Sequence, residues 1–406
     1  MKVYLGIDWS KSKHDLCWMN EQGGVISEIV IKHDVEGFGE LERSRIKLGV
    51  SVDDCVVGIE TAHNLLIDYL WSCGYRQVYV IPPSVTKASR GRVTSSGAHN
   101  DRFDARLLAE VLRTSRSGLQ VWQPDGSLVR QMRAKVSFVL FLRQDIVRQT
   151  NRLRDVLLRY YPGVLDVFSN LNTQIALNFI QTYSSPKAAA ELSVEDFKAF
   201  AKQHRYPKPA RLDQCFQRLQ RPQPSPDPVI VLAYEAQAKL LARSVLDRLH
   251  TRQAELDQLN ELFDLHPDAP LFRSFPGAGE WLAPALLAKF GDHRERFPAA
   301  AGLQALAGTC PVTSSSGKHH SVRFRKACDL EFRAIAQQWA INSIAQSDWA
   351  KTYFLSVRPT AHSTSHAYRC LANRWLSIAW SVWQSRKPYD ETYHQQQRLA
   401  RTKPRA

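Results

Sequence analysis

The run VYLGID, residues Val3 to Asp8, decides the first part of the fold. A short apolar run that ends in an acid predicts a buried β-strand with a carboxylate at its end. The run CVVGIE, residues Cys55 to Glu60, has the same form. The sequence therefore predicts two buried strands, each of which ends in an acid.

Two further acids begin a later helical stretch. Asp101 and Asp104 are three residues apart at the start of a helix expected over Asp101 to Leu112, so both lie on one helix face. A carboxylate at the end of a buried strand has little water and needs a partner, and Mg²⁺ is the usual partner of oxygen ligands. We therefore expect Asp8, Glu60, Asp101 and Asp104 to form a metal site, with ordinary surface charge and a helix cap at Asp101 as the alternative.

The length and net charge of the chain limit the classes of protein to which it can belong. The 406-residue chain is too long for one ordinary domain, and about two or three domains are expected. A formal net charge of +15 favours a polyanionic partner, of which nucleic acid is the default. A membrane partner is not expected, because no stretch approaches the roughly 20 apolar residues that span a bilayer. Without a signal-peptide layout, the expected location is cytoplasmic. The seven cysteines are scattered singly, which fits neither a zinc site nor a disulfide framework.

Residues 1–125 are expected to form a mixed α/β domain. Hairpin-linked strands are predicted over Val3 to Ile7, Asp15 to Trp18 and Val25 to Ile31, and helices then alternate with strands. This order is typical of an RNase H-like layer, in which acids from the first strand, the fourth strand and a later helix meet.

Residues 126–268 are expected to be helical. A basic helix is predicted over Leu128 to Tyr161 and a second long helix over Ile230 to Leu265. Apolar residues recur every seven positions in the second helix, which suggests a coiled-coil seam or an antiparallel helical hairpin, with a plain helical bundle as the alternative. A proline-rich linker precedes the second helix and excludes a continuous helix there. Residues 165–230 resemble an insertion, to which no function is assigned.

Residues 269–390 are expected to form a mainly helical globular domain. The run FPGAG, residues Phe275 to Gly279, precedes a helix whose free amides could hold a phosphate, with a simple turn as the alternative. The run also resembles a helix-hairpin-helix motif, which grips the DNA backbone without reading sequence. A loop that contains Ser314, Ser315 and Ser316 is expected next. Residues 391–406 are a basic tail, of which Arg398 to Ala406 are expected to be disordered until they meet nucleic acid.

Candidate nucleic-acid contacts are the glycines of the FPGAG turn, a basic run ahead of Asp101, and the basic stretch after the serines. They are Lys87, Arg90, Arg92, Gly277, Gly279, Lys318, His319, His320, Arg323 and Arg325. For the run from Lys87 to Arg92, a solvated loop is the alternative. The late tryptophans are expected in the core or at a protomer interface rather than as platforms for base stacking. They are Trp339, Trp375, Trp380 and Trp383.

Short motifs in the first quarter of the chain carry a family resemblance. GIDWSK at Gly6 to Lys11, GIE at Gly58 to Glu60 and NDRFDA at Asn100 to Ala105 together resemble the DEDD insertion-sequence transposases of the IS110 family, whose first domain is RuvC-like. The second half is similar to the family's own transposase domain through the FPGAG turn, SGK at Ser316 to Lys318 and PYD at Pro388 to Asp390. Each motif alone is common, and the ordered set is specific.

The resemblance implies an RNA-guided recombinase. In this family a structured RNA pairs with donor and target DNA, and strands are exchanged through a serine joined to DNA, often supplied by a neighbouring protomer. By motif, the four acids match the family's Mg²⁺ ligands and Ser316, directly before Gly317, best matches the serine. Adjacent Ser314 and Ser315 leave that register open. The expected partners are donor and target DNA, a guide RNA, and further copies of the chain in a dimer or tetramer.

Three other functions compete with this interpretation. A RuvC-like junction endonuclease would use the same acids to activate water and would form no covalent adduct. A non-catalytic nucleic-acid-binding protein would need only the basic charge. A sugar kinase of the actin-like fold shares the Gly6-Ile7-Asp8 opening, but no later glycine-rich phosphate loop of the expected type follows.

Overall fold

A computed structural model describes residues 2–62, 65–93, 100–222, 227–316 and 319–402. The chain divides into two compact units, Met1–Pro124 and Asp125–Ala406. Each hydrophobic cluster of the described residues draws on one unit only. Each unit therefore has a core of its own.

The first unit is a five-stranded sheet with helices. Its strand order is β3-β2-β1-β4-β5; β1 runs antiparallel to β2 and parallel to β4, β2 runs antiparallel to β3, and β4 runs parallel to β5. This confirms the predicted mixed α/β character, while the RNase H-like assignment stays a prediction. The elements are β1 (Val3–Trp9), β2 (Lys13–Met19), β3 (Val25–Lys32), α1 (Val35–Lys47), β4 (Cys55–Ile59), α2 (Leu65–Ser72), β5 (Val78–Val80), α3 (Pro83–Val93) and α4 (Asp101–Ser115).

Helix α4 lies directly against strand β1. A Cβ atom at Gly6 would stand 1.9 Å from the carbonyl oxygen of Ala105 and 2.6 Å from the amide nitrogen of Ala109. Only glycine leaves room for a helix backbone at that distance. The helix contributes Leu108 and Leu112 to the core on this face of the sheet. Gly6 therefore fixes how closely α4, with its two acids, approaches the strand that carries Asp8.

The second unit is mainly helical. Its helices are α5 (Ser127–Tyr160), α6 (Gly163–Val167), α7 (Gln174–Thr182), α8 (Pro186–Ala190), α9 (Val194–Gln203), α10 (Leu212–Leu219), α11 (Pro228–Asp264), α12 (Ala269–Arg273), α13 (Gly279–Phe290), α14 (Ala300–Leu306), α15 (Leu330–Ser343), α16 (Asp348–Val357), α17 (Thr364–Ser385) and α18 (Glu391–Thr402). An antiparallel hairpin interrupts them, formed by β6 (Val312–Ser316) and β7 (His319–Arg323).

The long helices α5 and α11 run side by side in opposite directions. Near the start of α5, the Lys135 Nζ lies 2.8 Å from a carboxylate oxygen of Glu255, close to the end of α11. Near the end of α5, the Arg159 guanidinium lies 5.6 Å from the ring centre of Tyr234, close to the start of α11. The two long helices are thus confirmed and antiparallel, while a coiled-coil seam stays a prediction.

The insertion between these helices is itself helical. Helices α6 to α10 pack around a core that α5 and α11 share, with Leu157, Phe179 and Val245 among its buried residues. Pro228 occupies the first turn of α11, where its missing N–H costs nothing. The proline-rich linker predicted before the second long helix therefore ends at Pro228, where α11 begins.

Buried tryptophans organise the C-terminal core. Trp339, Trp375 and Trp383 are fully buried, and Trp380 packs against the same cluster, so the expectation that they belong to the core is confirmed. The indole nitrogen of Trp339 donates to the carbonyl oxygen of Pro276 at 3.0 Å. This bond ties the FPGAG turn to the core.

Two predictions about the second unit are wrong. The serine segment is strand β6 rather than a loop, because β7 supplies the hydrogen bonds that a strand needs. The disorder predicted for Arg398 to Ala406 is wrong as far as Thr402, because helix α18 continues to that residue from Glu391, where Asp390 caps it by accepting a bond from the Tyr393 amide at 3.0 Å. Residues 403–406 lie outside the described residues. Within the described residues, no helix combines the length and apolar character required to cross a bilayer.

Candidate active site

The sheet brings the acids of the first unit to one edge. Strands β1 and β4 are parallel neighbours in which Gly6 pairs with Gly58 and Ile7 with Ile59. Asp8 and Glu60 come next along their strands, so both carboxylates stand at the same end of the sheet. Asp101 and Asp104 occupy the first turn of α4, which Asn100 caps by accepting a hydrogen bond from the Arg102 amide.

The pKa of Asp8 reflects the closeness of these acids. Burial and, in decreasing order of size, the negative charges of Asp104, Asp101, Glu60 and Asp15 together raise the pKa of Asp8 from 3.8 to about 7. A pKa shifted by neighbouring carboxylates means that the acids interact as a group. A cation that enters this group would relieve the repulsion.

Two cations of the chain already contact these acids. The Lys13 Nζ lies 3.0 Å from Asp101 and 3.5 Å from Asp15, and Arg90 pairs with Asp104. Arg90, predicted as a nucleic-acid contact, thus lies on helix α3 and engages an acid of the site.

Glu60 is held separately from the other acids. Its Oε1 accepts a hydrogen bond from the Thr86 hydroxyl on α3 at 2.9 Å. Among the residues that the structure describes, no three His, Cys, Asp or Glu side chains are arranged to bind one metal ion. The four acids therefore share an electrostatic environment without forming a finished metal cage.

Asp15 and Lys13 belong to this group, and neither was a sequence candidate. Asp15 stands directly opposite Asp8 in the β1–β2 pairing and is 4% exposed. A carboxylate that is so buried and so close to another requires a positive partner, which Lys13 supplies. The signal that could have revealed Asp15 is the register of the hairpin, which pairs Asp8 with Asp15 once the turn is placed.

The candidate serines stand on the exposed hairpin of the second unit. Ser314, Ser315 and Ser316 are all exposed on β6. Since successive side chains of a strand alternate, Ser314 and Ser316 lie on one face and Ser315 on the other. Ser315 pairs with His320, and Ser316 pairs with His319. The hairpin thus directs Ser315 away from the face that carries Ser314 and Ser316.

The other predicted nucleic-acid contacts fall into two groups. Lys87 is exposed on α3, His320 and Arg323 are exposed on β7, and Arg325 is half-buried just after it. The remaining basic candidates cannot be placed: Lys318, like Gly317, lies outside the described residues, and the side chains of Arg92 and His319 lie outside them too.

The FPGAG turn forms one wall of a groove of about 470 Å³, which residues 277–282 line together with Asn342, Ala345 and Gln346. Gly277 has a φ of +75°, and its amide donates to Gln346 Oε1 at 2.8 Å. That amide is therefore engaged within the protein. The first amides of α13, from Gly279 onward, are the ones that helix geometry leaves without a carbonyl partner.

Comparisons with known proteins identify the family of the chain. Residues 5–162 match a family model described as a DEDD transposase of the IS110 type, and residues 269–355 match one described as the transposase IS116/IS110/IS902 family. The chain is similar to the mini-circle protein assigned as the transposase for IS117 of Streptomyces coelicolor, with 29% identity over 405 residues that cover 96% of each chain.

Two further relatives come from insertion elements. An uncharacterized protein of insertion element IS116 from Streptomyces clavuligerus is 24% identical over 94% of each chain. An uncharacterized protein of insertion element IS110 from Streptomyces coelicolor is 24% identical over 70% of each chain. Because both halves match models of one family in the expected order, the chain belongs to the DEDD transposases of the IS110 family.

Proposed function

We propose that this transposase cuts and rejoins DNA through a phosphoserine intermediate formed by Ser316, with Mg²⁺ held by the acids of the first unit and with a structured RNA as guide. The observation that carries the serine assignment is the exposed strand β6, which presents Ser316 on the face of the hairpin that also holds Arg323 of β7. An exposed hydroxyl is accessible to a phosphodiester, and a positive side chain on the same face can help to stabilise the charge of the transition state.

The covalent step exchanges one phosphoester for another. The Ser316 hydroxyl loses its proton as its oxygen bonds to phosphorus, the bond from phosphorus to the leaving DNA oxygen breaks, and that oxygen takes up one proton in turn to become a free hydroxyl. A hydroxyl end of another strand can then attack the phosphoserine and release the serine. Because each step replaces one phosphoester by another, rejoining needs no ATP. Arg323 and His320, with Arg325, Lys318 and His319, are proposed to offset the charge that develops on the phosphate.

The acids of the first unit fit a divalent cation by their chemistry. DEDD transposases typically use a divalent metal. Asp8, Glu60, Asp101 and Asp104 offer only oxygen ligands, which Mg²⁺ prefers, and the pKa of Asp8, raised by burial and then by the neighbouring carboxylates, includes a contribution from negative charge that such a cation would neutralise. When bound, the ion would supply Lewis-acid polarisation of the phosphate. For the four acids to act as ligands, the bonds from Lys13 and Arg90 would have to give way.

The basic surface supports nucleic-acid partners. A net charge of +15 draws DNA and RNA over long range, and transposases act on DNA. A guide RNA, an assembly of two or four copies and a cytoplasmic location are further parts of the proposal. RNA that copurifies with the chain from its host, when sequenced, should be one structured species encoded next to the gene. A random sample of cellular RNA would contradict the guide.

The serine is tested by trapping the adduct on a denaturing gel. Ser316→Ala should abolish the protein–DNA adduct, because no hydroxyl remains to bond phosphorus. Ser315→Ala is the matched control, since that side chain lies on the opposite face of β6, and it should leave the adduct intact. Adducts that persist in Ser316→Ala and disappear in Ser314→Ala or Ser315→Ala would show that the serine changed in the inactive variant is the nucleophile. Metal-dependent cleavage without any adduct in the wild-type protein would favour the water-using junction endonuclease.

A further inference from the structure

Two arginines meet one exposed aromatic ring at the base of the serine hairpin. Phe324 directly follows β7 and is 44% exposed. The guanidinium carbon of Arg333, in the first part of α15, lies 4.5 Å from the ring centre, and that of Arg369, on α17, lies 4.6 Å from it. Arginine is attracted to an aromatic face at such distances. We call Phe324, Arg333 and Arg369 the hairpin-base cluster.

The positive charge of this cluster has no carboxylate to offset it. Within the described part of the chain, neither Arg333 nor Arg369 forms an ion pair with Asp or Glu. The nearest acids along α15, Asp329 and Glu331, contact Lys289 instead, at 2.8 and 2.7 Å. Burial lowers the pKa of Arg369, the Cys370 thiol partly opposes this, and the charge of Arg333 lowers the pKa again. The two guanidinium groups therefore repel each other, and no carboxylate among the described residues pairs with them.

Donor groups of the same region also lack partners. The Nε atoms of Arg333 and of the neighbouring Arg325 are buried and form no hydrogen bond with described residues. A buried N–H without a partner costs free energy, which an acceptor from outside the protein could recover. Arg333 is held in place by donating a hydrogen bond from Nη2 to the carbonyl oxygen of Arg325.

The backbone is shaped to admit Arg333. Gly308 has a φ of +61°, and a Cβ atom there would stand 2.5 Å from Arg333 Nη2. A side chain at residue 308 would therefore displace the guanidinium. The glycine of the Ala307-Gly308 pair thus makes room for one member of the cluster.

We propose that Arg333 and Arg369 bind a phosphodiester of the DNA strand that reaches the serine hairpin, and that Phe324 stacks against a neighbouring base. The inference rests on the proposed function, because it extends the DNA path at the same hairpin. Guanidinium groups form paired hydrogen bonds with phosphate oxygens, and an aromatic ring stacks with any base. The cluster would hold the strand by its backbone without selecting a sequence.

Binding without chemistry tests the cluster. The purified full chain, in EDTA, is titrated against fluorescein-labelled oligothymidylate, and anisotropy is followed between about 50 and 200 mM salt. Arg369→Gln should weaken binding and lower the slope of log K against log salt by about one unit, because one phosphate contact is lost. Phe324→Leu should weaken binding at least about fivefold with the slope unchanged, because stacking is lost and charge is kept.

A matched control separates the cluster from general charge. Arg358, exposed at the end of α16, lies outside the cluster, and Arg358→Gln should leave the slope and the affinity nearly unchanged. Equal losses in Arg358→Gln and Arg369→Gln would overturn the proposal, as would wild-type binding by both Arg369→Gln and Phe324→Leu. Circular dichroism and Tm of each variant verify that the fold is retained. Arg369 is the primary target because Arg333 also supports the loop before α15.

Two further arms identify the ligand and separate this proposal from the serine chemistry. Oligouridylate replaces oligothymidylate in one arm, and a loss confined to RNA would overturn the assignment to DNA. If Ser316→Ala keeps the covalent adduct while Arg369→Gln loses affinity, the serine assignment fails and the cluster stands. If adducts vanish in Ser316→Ala and both cluster variants bind normally, the serine assignment stands and the cluster proposal fails.

Discussion

Burial and neighbouring negative charge act together on Asp8. Its carboxyl has a pKa of about 7, raised first by burial and then by Asp104, Asp101, Glu60 and Asp15. A folded-state pKa above the unfolded value means that the protonated form favours folding. That contribution is fully present below about pH 4, is lost as pH rises through about 7, and stays lost above it. Without a bound cation, the ionised site therefore works against stability.

Replacing Asp8 by asparagine should stabilise the protein at high pH in EDTA. At pH 8, Asp8→Asn should gain about 1 kcal/mol, a figure reduced for the partial exposure of the site, and Tm should rise by about 2–4 °C. At pH 4 the gain should vanish, because the wild-type carboxyl is then protonated. Thermal unfolding at the two pH values measures the difference. Asp53→Asn, at an exposed acid away from the site, should change neither value.

The same variant tests the proposed Mg²⁺ site without any assay of DNA exchange. Mg²⁺ should raise the Tm of the wild-type protein, because a ligand that binds only the folded state stabilises it, and should not raise that of Asp8→Asn. Strand exchange should be lost in the variant while binding of nucleic acid is kept. A variant less stable than the wild type at pH 8, or one equally stabilised by Mg²⁺, would argue against the acids as a group.

At the scale of elements, the contact of α4 with β1 positions half of the acids. Gly6→Ala should cost about 1–3 kcal/mol in the free energy of unfolding, because the new methyl group would meet the backbone at Ala105 and push α4 away. The pKa of Asp8 should then fall toward its ordinary value as Asp101 and Asp104 recede. Denaturant unfolding and NMR titration measure the two effects. Gly91→Ala is the control: a Cβ there meets nothing within 4 Å, so stability should be unchanged or about 1 kcal/mol higher.

A second element contact joins α13 to the start of α15. Lys289 is 8% exposed and bonds both Asp329 and Glu331. Lys289→Met should destabilise the second unit by about 2 kcal/mol, since two carboxylates are left close together without a cation while water can still reach them in part. Lys351→Met, at an exposed lysine on α16, should have almost no effect on the midpoint of urea unfolding. Equal effects of the two changes would contradict an ion-pair role for Lys289.

Local pattern explains which elements could be predicted. β1, β4, α5 and α11 follow from apolar periodicity, which neighbouring residues along the chain fix by themselves. The serine strand β6 could not be predicted this way, because a Ser-rich segment has no strand pattern and depends on a partner strand for its hydrogen bonds.

The candidate site could likewise be predicted only where the local sequence pattern is sufficient. Asp8 and Glu60 could be expected at one edge because each ends an apolar run. Asp15 and Lys13 could not, because their approach depends on the register of the β1–β2 pair. The pairing of Arg90 with Asp104 depends on the packing of α3 near α4, which no local pattern reports.

At the scale of the whole molecule, the separate cores predict separate folding. The buried clusters of residues 1–124 contain no residue beyond Trp122. A fragment of residues 1–124 should therefore fold alone, with cooperative thermal unfolding and protected amides in β1 and β4. The Gly6→Ala change should destabilise this fragment as much as the full chain. A fragment without a cooperative transition would show that the first unit depends on the second.

Helix α5 is one continuous element shared by two cores. Its first half contributes Met132 and Val136 to the C-terminal core, and its second half contributes Leu153 and Leu157 to the core of the insertion. With 34 residues at 1.5 Å each, the helix measures about 51 Å. That is the length of about 15 base pairs of duplex at 3.4 Å per pair. If a nucleic acid were bound at both ends of α5, the length of the helix would set the distance between the two groups of contacts. The second group would then lie at the insertion.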